Sequence, residues 1–147
     1  DKVFVASYNF WDYIAVLPVD IASSEGGKSI PPPKLLEYNT TVYAIDVATG
    51  ESIWEYFLPN SGYRTSLVAS GDLVYFSSTD GNLYALDTET GTLIWKRHFG
   101  IGLLMPPVIG SDEHGDMMIL ISYGGQNTRL HLPVPGGIIA LHLDPLN

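Results

Sequence analysis

The sequence predicts an all-β fold, a partial β-propeller of about three to four four-stranded antiparallel blades, and three observations predict it. First, Val42-Tyr43-Ala44-Ile45-Asp46-Val47-Ala48-Thr49-Gly50-Glu51-Ser52-Ile53-Trp54 recurs as Leu83-Tyr84-Ala85-Leu86-Asp87-Thr88-Glu89-Thr90-Gly91-Thr92-Leu93-Ile94-Trp95. Both copies read Ala-x-Asp-x-x-x-Gly-x-x-x-Trp, offset by 41 residues from Ala44 to Ala85. Second, strand-length apolar runs with turn residues between them fill the interval. Third, a degenerate copy follows in Gly137-Ile138-Ile139-Ala140-Leu141-His142, with His142 at the Asp position.

Each copy encodes a hairpin. Tyr43 to Ile45 and Ser52 to Trp54 are β-prone, while Asp46 to Gly50 supply side-chain-to-backbone bonds and a residue free to take positive φ. Leu73-Val74-Tyr75-Phe76-Ser77 reads as a further strand, separated from Leu83 by the turn signal Thr79-Asp80-Gly81-Asn82. With Thr65 to Ala69 added, one period holds four strands. A β-sandwich also spaces short strands at such intervals, but it has no reason to repeat one turn chemistry together with one Trp position. Trp54 and Trp95, each facing a small Ala and a Gly, suit flat aromatic wedges between neighbouring blades. The length, 147 residues, gives an incomplete ring. Blades bury their faces only against neighbours, so apolar faces are expected to stand open at Val3-Phe4-Val5 and Ile138-Ile139, and the chain alone is expected to associate.

Composition excludes several functions. With 46% hydrophobic and 16% charged residues the chain folds rather than remaining disordered. No apolar stretch reaches the roughly 18 residues of a membrane-spanning helix. A net charge of -9, from 16 acidic and 7 basic residues, repels phosphate backbones and disfavours nucleic acid as a partner. Without cysteine there is no disulfide framework, thiolate metal site or cysteine nucleophile. The chain opens on Asp1 with strand alternation at once, which reads as a mature or excised piece. Asn39-Thr40-Thr41 fits the N-glycosylation pattern, a hint of export.

The repeat resembles that of the pyrroloquinoline-quinone (PQQ) dehydrogenases acting on alcohols, methanol and glucose. Similar repeats occur in non-enzymatic propellers of outer-membrane protein assembly. Val3-Phe4-Val5-Ala6-Ser7-Tyr8-Asn9 resembles the family strand that ends in a cofactor-contacting Asn. The segment from Tyr63 to Val74 resembles Trp-Gly-Gly-Thr-Leu-Ala-Thr-Ala-Gly-Gly-Leu-Val, with Tyr63 in the Trp place and Arg64-Thr65 in place of Gly-Gly. Gly100-Ile101-Gly102, Pro106-Pro107-Val108, Met118 to Gly125 and Gly136 to Leu141 resemble later elements of the family's C-terminal stretch. The resemblance implies that residues 1–147 are the C-terminal part of an eight-bladed ring, with an internal cut at the N-terminus and the remaining blades supplied elsewhere. It also implies PQQ with Ca²⁺ as cofactors, an alcohol or sugar substrate, and a periplasmic or extracellular location.

For the cofactor the resemblance singles out Asn9 and Tyr63. Read from the residues alone, Asn9 is a turn residue bonding its own backbone, and Tyr63, after Asn60-Ser61-Gly62, covers a loop. Arg64 either contacts an anionic ligand such as the tricarboxylate PQQ or makes an outward salt bridge. The Ca²⁺ ligands and the catalytic Asp of the family lie upstream of the matched part, so no catalytic residue is assigned. His98, His114, His131 and His142 lack metal-site spacing, Asp46, Asp80 and Asp87 are explained by turns, and no Ser-His-Asp arrangement is supported. The segment from Pro18 to Tyr38 reads as a long surface insertion or connection. The reading from another class is a non-catalytic propeller scaffold for protein-protein interaction.

Overall fold

In the computed structural model, residues 1–8, 39–59, 67–103, 105–127 and 132–143 are described. They form ten strands and no helix: β1 (Lys2–Tyr8), β2 (Asn39–Asp46), β3 (Ser52–Pro59), β4 (Leu67–Ser70), β5 (Leu73–Ser77), β6 (Asn82–Asp87), β7 (Leu93–His98), β8 (Val108–Ser111), β9 (Met117–Asn127) and β10 (Leu132–His142). All pairings are antiparallel, in three sheets ordered β1-β2-β3, β4-β5-β6-β7 and β8-β9-β10. The middle sheet is the complete four-stranded blade that the sequence predicts. The flanking sheets each show three strands among the described residues.

The repeat folds the same way twice. Ala44 pairs with Trp54, and Ala85 with Trp95, and in each hairpin the register shifts at the residue after the Ala. Asp46 Oδ1 accepts the N–H groups of Ala48 and Thr49 at 2.8 and 2.9 Å, and Asp87 Oδ1 those of Glu89 and Thr90 at 2.9 and 2.7 Å. Gly50 and Gly91 close these turns at φ +74° and +70°, a region that costs other L-residues energy through the Cβ.

The sheets stack face to face, and burial follows from their place in the stack. The middle sheet is covered on both faces, so β5 and β6 are buried almost continuously. In β3, covered on one face, only Trp54 and Leu58 are buried, at alternating positions of the strand. One core holds Val42, Ala44, Trp54 and Leu58 of the first sheet against Val74, Phe76, Tyr84 and Leu86 of the middle one. The other holds Tyr75, Leu83 and Ala85 against Ile119 and Ile121 of the third. Phe76 and Tyr84, a directly opposed cross-strand pair, stack at 4.8 Å. The two outermost faces are open and apolar, with Val3, Val5 and Phe57 exposed at one end and Val108 and Ile138 at the other.

Trp54 joins the first two sheets as the wedge the sequence predicts. Its Nε1 donates to Thr88 O at 3.0 Å, its ring lies 5.8 Å from Phe4, and a Cβ on Gly91 would meet it at 2.6 Å. Lys2 bridges the same joint, donating to Thr88 O at 3.2 Å and pairing with Glu89 at 2.7 Å. Between sheets, backbones approach closely where β1 meets β4 and β4 meets β8, so the sheets converge along these strands and fan outward as radial blades do.

Candidate functional site

The antiparallel register gives every sheet two distinct ends. At one lie the turns of Asp46 and Asp87, the β4–β5 turn at Gly71, and His142. At the other lie Tyr8, which ends β1, Leu67, which begins β4, and the β5–β6 turn from Ser78 to Gly81. Asn9 and Tyr63 lie outside the described residues. β1 ends at Tyr8 and β4 begins at Leu67 at this same second end, and the two strands are in contact.

The second end carries a polar network. Tyr84 Oη donates to Asp80 Oδ2 at 2.5 Å, Asn82 N donates to Asp80 Oδ1 at 3.0 Å, and His98 Nδ1 lies 3.1 Å from Asn82 Oδ1. Burial, then the bond to Asp80, pushes the Tyr84 hydroxyl far above its ordinary range. Burial alone would raise the Asp80 carboxyl, but the bonds from Tyr84 and Asn82 outweigh it and hold the group below 3.8. The Phe99 and Leu103 N–H groups donate to Gly81 O and Ser78 O, fixing the connection from β7 to β8 over this end. The bonds to Asp80 hold the β5–β6 turn.

The first end holds a cleft of ≈ 820 Å³ between the middle and third sheets, lined by Leu73, Tyr75, Asp72, Asp87, Asp116 and His142 among others. At its rim the ligand atoms of Asp112, Asp116 and His142 all lie within 4.8 Å of one another. Two carboxylates and an imidazole form a donor set that could hold a divalent cation. Asp112 Oδ1 already accepts the His114 and Asp116 N–H groups at 2.8 and 2.9 Å. The sequence does not show this cluster, because His142 meets the aspartates only through the β9–β10 pairing. The one available signal was His142 at the repeat's Asp position, at the end where turn carboxylates gather. PQQ, a tricarboxylate, needs cationic or N–H donors. The carboxylates of the cleft oppose it, so the cleft does not fit the quinone.

Four aspartates give the fold an acid limit. Backbone N–H bonds, from Thr49, Thr90 and Asp116 respectively, hold Asp46, Asp87 and Asp112 below the ordinary 3.8, and Asp80 is lowered as above. A carboxyl lowered in the folded state stabilises at pH above its unfolded value and loses that contribution as pH falls through the folded value. The melting temperature is therefore expected to stay level from pH 7 to about 5 and to fall below about 4. Thermal melts at constant ionic strength check this, and a level melting temperature down to about pH 3 would contradict it.

With this geometry in view, comparison with known proteins is decisive for the family. The PQQ_2 family model, described as outer membrane protein assembly factor BamB, matches residues 35–129. The chain belongs to this family. It is a PQQ-dehydrogenase-like propeller, as its relatives also indicate. It is 31% identical over 102 residues to quinoprotein alcohol dehydrogenase PedE of Pseudomonas putida, covering 68% of this chain and 15% of that protein. It is 31% identical over 83 residues to methanol dehydrogenase [cytochrome c] subunit 1 of Methylobacterium organophilum, covering 56% and 13%. Among solved structures, quinohemoprotein alcohol dehydrogenase from Comamonas testosteroni superposes with a TM-score of 0.53 at 17% identity, over 80% of this chain and 18% of the other. At that identity the likeness shows the shared propeller fold. The chain spans about 15% of the length of the PedE relative. Among the described residues, no helix is long and apolar enough to cross a membrane.

Proposed function

We propose that residues 1–147 are the C-terminal part of a PQQ-dehydrogenase-like propeller that oxidises an alcohol or sugar, periplasmic or extracellular, with the rest of the ring supplied by further blades. The observation that carries this reading is the 31% identity to a quinoprotein alcohol dehydrogenase across most of this chain. The placement of the last residue of β1, Tyr8, and the first of β4, Leu67, at one end of two contacting strands supports it. Asn9 and Tyr63 would hold the quinone, Asn9 by a hydrogen bond to its polar edge and Tyr63 against its rings. When bound, PQQ with Ca²⁺ supplies the two-electron oxidation, and the base and metal ligands belong to blades outside this chain.

A PQQ titration of the assembled protein with Ca²⁺ present tests the reading. Asn9→Ala is expected to weaken binding by about 1–3 kcal/mol, the scale of one lost buried polar partner, without unfolding the protein; Tyr63→Ala is expected to weaken it as well. Wild-type protein that binds no PQQ would end the enzyme reading. The second reading, a non-catalytic scaffold, is favoured by the description of the matching family model as an outer membrane protein assembly factor, and it would then stand.

A further inference from the structure

The cleft at the first end, between the middle and third sheets, is graded in polarity from mouth to floor. Its mouth carries the carboxylates of Asp72, Asp87 and Asp116, and no Lys or Arg is among its lining residues. Asp87 Oδ1 is taken up by its own turn, whereas the Asp72 and Asp116 carboxylates have no hydrogen-bond or ion-pair partner among the described residues. The walls are apolar, with Ile94 and Met117 exposed at 43% and 42%. Tyr75 lines the cleft from the core side, 4% exposed, its ring 5.9 Å from Trp95. The Tyr75 hydroxyl has no hydrogen-bond partner among the described residues, and burial raises its pKa with no bond to offset the shift. A buried hydroxyl left unbonded costs free energy that a ligand with a matching group recovers. At ≈ 820 Å³ the cleft has the size of a small-molecule site.

We propose that this cleft binds an organic ammonium ion whose apolar body ends in a hydroxyl or carbonyl group. The ammonium sits among Asp72, Asp87 and Asp116, the body lies along Ile94 and Met117, and the far polar group bonds Tyr75 Oη. The carboxylates that repel a tricarboxylate attract a cation. Carboxylates alone gather any cation, and the buried hydroxyl selects one with a second polar group at its other end. The site lies at the end of the sheets opposite Tyr8 and Leu67, so it is independent of the quinone reading.

The probes are tyramine, 2-phenylethylamine, which lacks its hydroxyl, and 4-ethylphenol, which lacks its charge, each titrated calorimetrically into the 147-residue chain at low ionic strength. Tyramine is expected to bind about tenfold more tightly than 4-ethylphenol, through the carboxylates, and about fivefold more tightly than 2-phenylethylamine, through the bond to Tyr75. Tyr75→Phe is expected to erase the second preference and keep the first, with the melting temperature of the free chain unchanged or raised, since the hydroxyl it removes is unbonded. Asp72→Asn and Asp116→Asn are each expected to weaken tyramine about threefold. Asp112→Asn keeps the turn's acceptor and lies outside the cleft lining, so it is expected to leave tyramine binding unchanged. Equal binding of tyramine and 4-ethylphenol, or a hydroxyl preference that survives Tyr75→Phe, would overturn the proposal. So would a lowered melting temperature in Tyr75→Phe, which would place an internal partner on the hydroxyl. A loss in Asp112→Asn as large as in Asp116→Asn would instead assign the binding to the cluster with His142, the donor set for a divalent cation.

Discussion

Trp54→Ala is expected to lower the unfolding free energy by about 3–5 kcal/mol, the range for deleting a large buried aromatic without collapse of its site. The ring is 8% exposed and lies where two sheets meet, against Phe4 on its own sheet and the Gly91 backbone on the next. Removing it opens a cavity in the packed joint between the first and second sheets. Trp54→Phe divides the effect. It keeps most of the apolar contact and gives up the Nε1 bond to Thr88 O, and since that carbonyl also receives Lys2 Nζ it is not stranded, so a loss of about 1 kcal/mol is expected. Trp95→Ala is expected to cost less than Trp54→Ala, because Trp95 is only half-buried. Urea denaturation of the four proteins measures this order, and a Trp54→Ala loss under about 1 kcal/mol would refute the joint.

Gly91→Ala and Gly50→Ala form the second test, because they share backbone geometry and differ in surroundings. Both glycines sit at positive φ, +70° and +74°, so an added Cβ strains each backbone by about 1–2 kcal/mol. Beside Gly50 the new methyl meets nothing within 4 Å, and the backbone strain is the whole expected cost. Beside Gly91 it would stand 2.6 Å from Cδ2 and Cε3 of Trp54, so the ring must move out of a packed joint, adding about 1–3 kcal/mol. Gly91→Ala is therefore expected to exceed Gly50→Ala by about 2 kcal/mol, and combining it with Trp54→Ala to be less than additive because the methyl no longer meets an indole. Equal losses at the two glycines would show that the indole does not press on Gly91.

The site was less legible than the fold. Asn9 and Tyr63 were reached through family resemblance, since an Asn after a strand and a Tyr before one carry no chemistry of their own. Both lie outside the described residues. The Asp112, Asp116 and His142 cluster could not be read from spacing, because its imidazole comes from a strand on the far side of β9.

By itself the sequence determined the hairpins, since the Asp46 and Asp87 turns are closed by hydrogen bonds between residues only two to five positions apart and by a glycine free to take positive φ. It also determined the repeat, and with it the equivalence of Trp54 and Trp95 across from Ala44 and Ala85. Only the tertiary structure decided what each Trp touches. Trp54 finds Thr88 O across 34 residues of sequence, a contact set by how one twisted sheet stacks on the next rather than by any local preference. The same stacking buried β5 and β6 on both faces while leaving Phe57 and Ile138 in solvent, because among the described residues the middle sheet has a neighbour on each face and each flanking sheet has one.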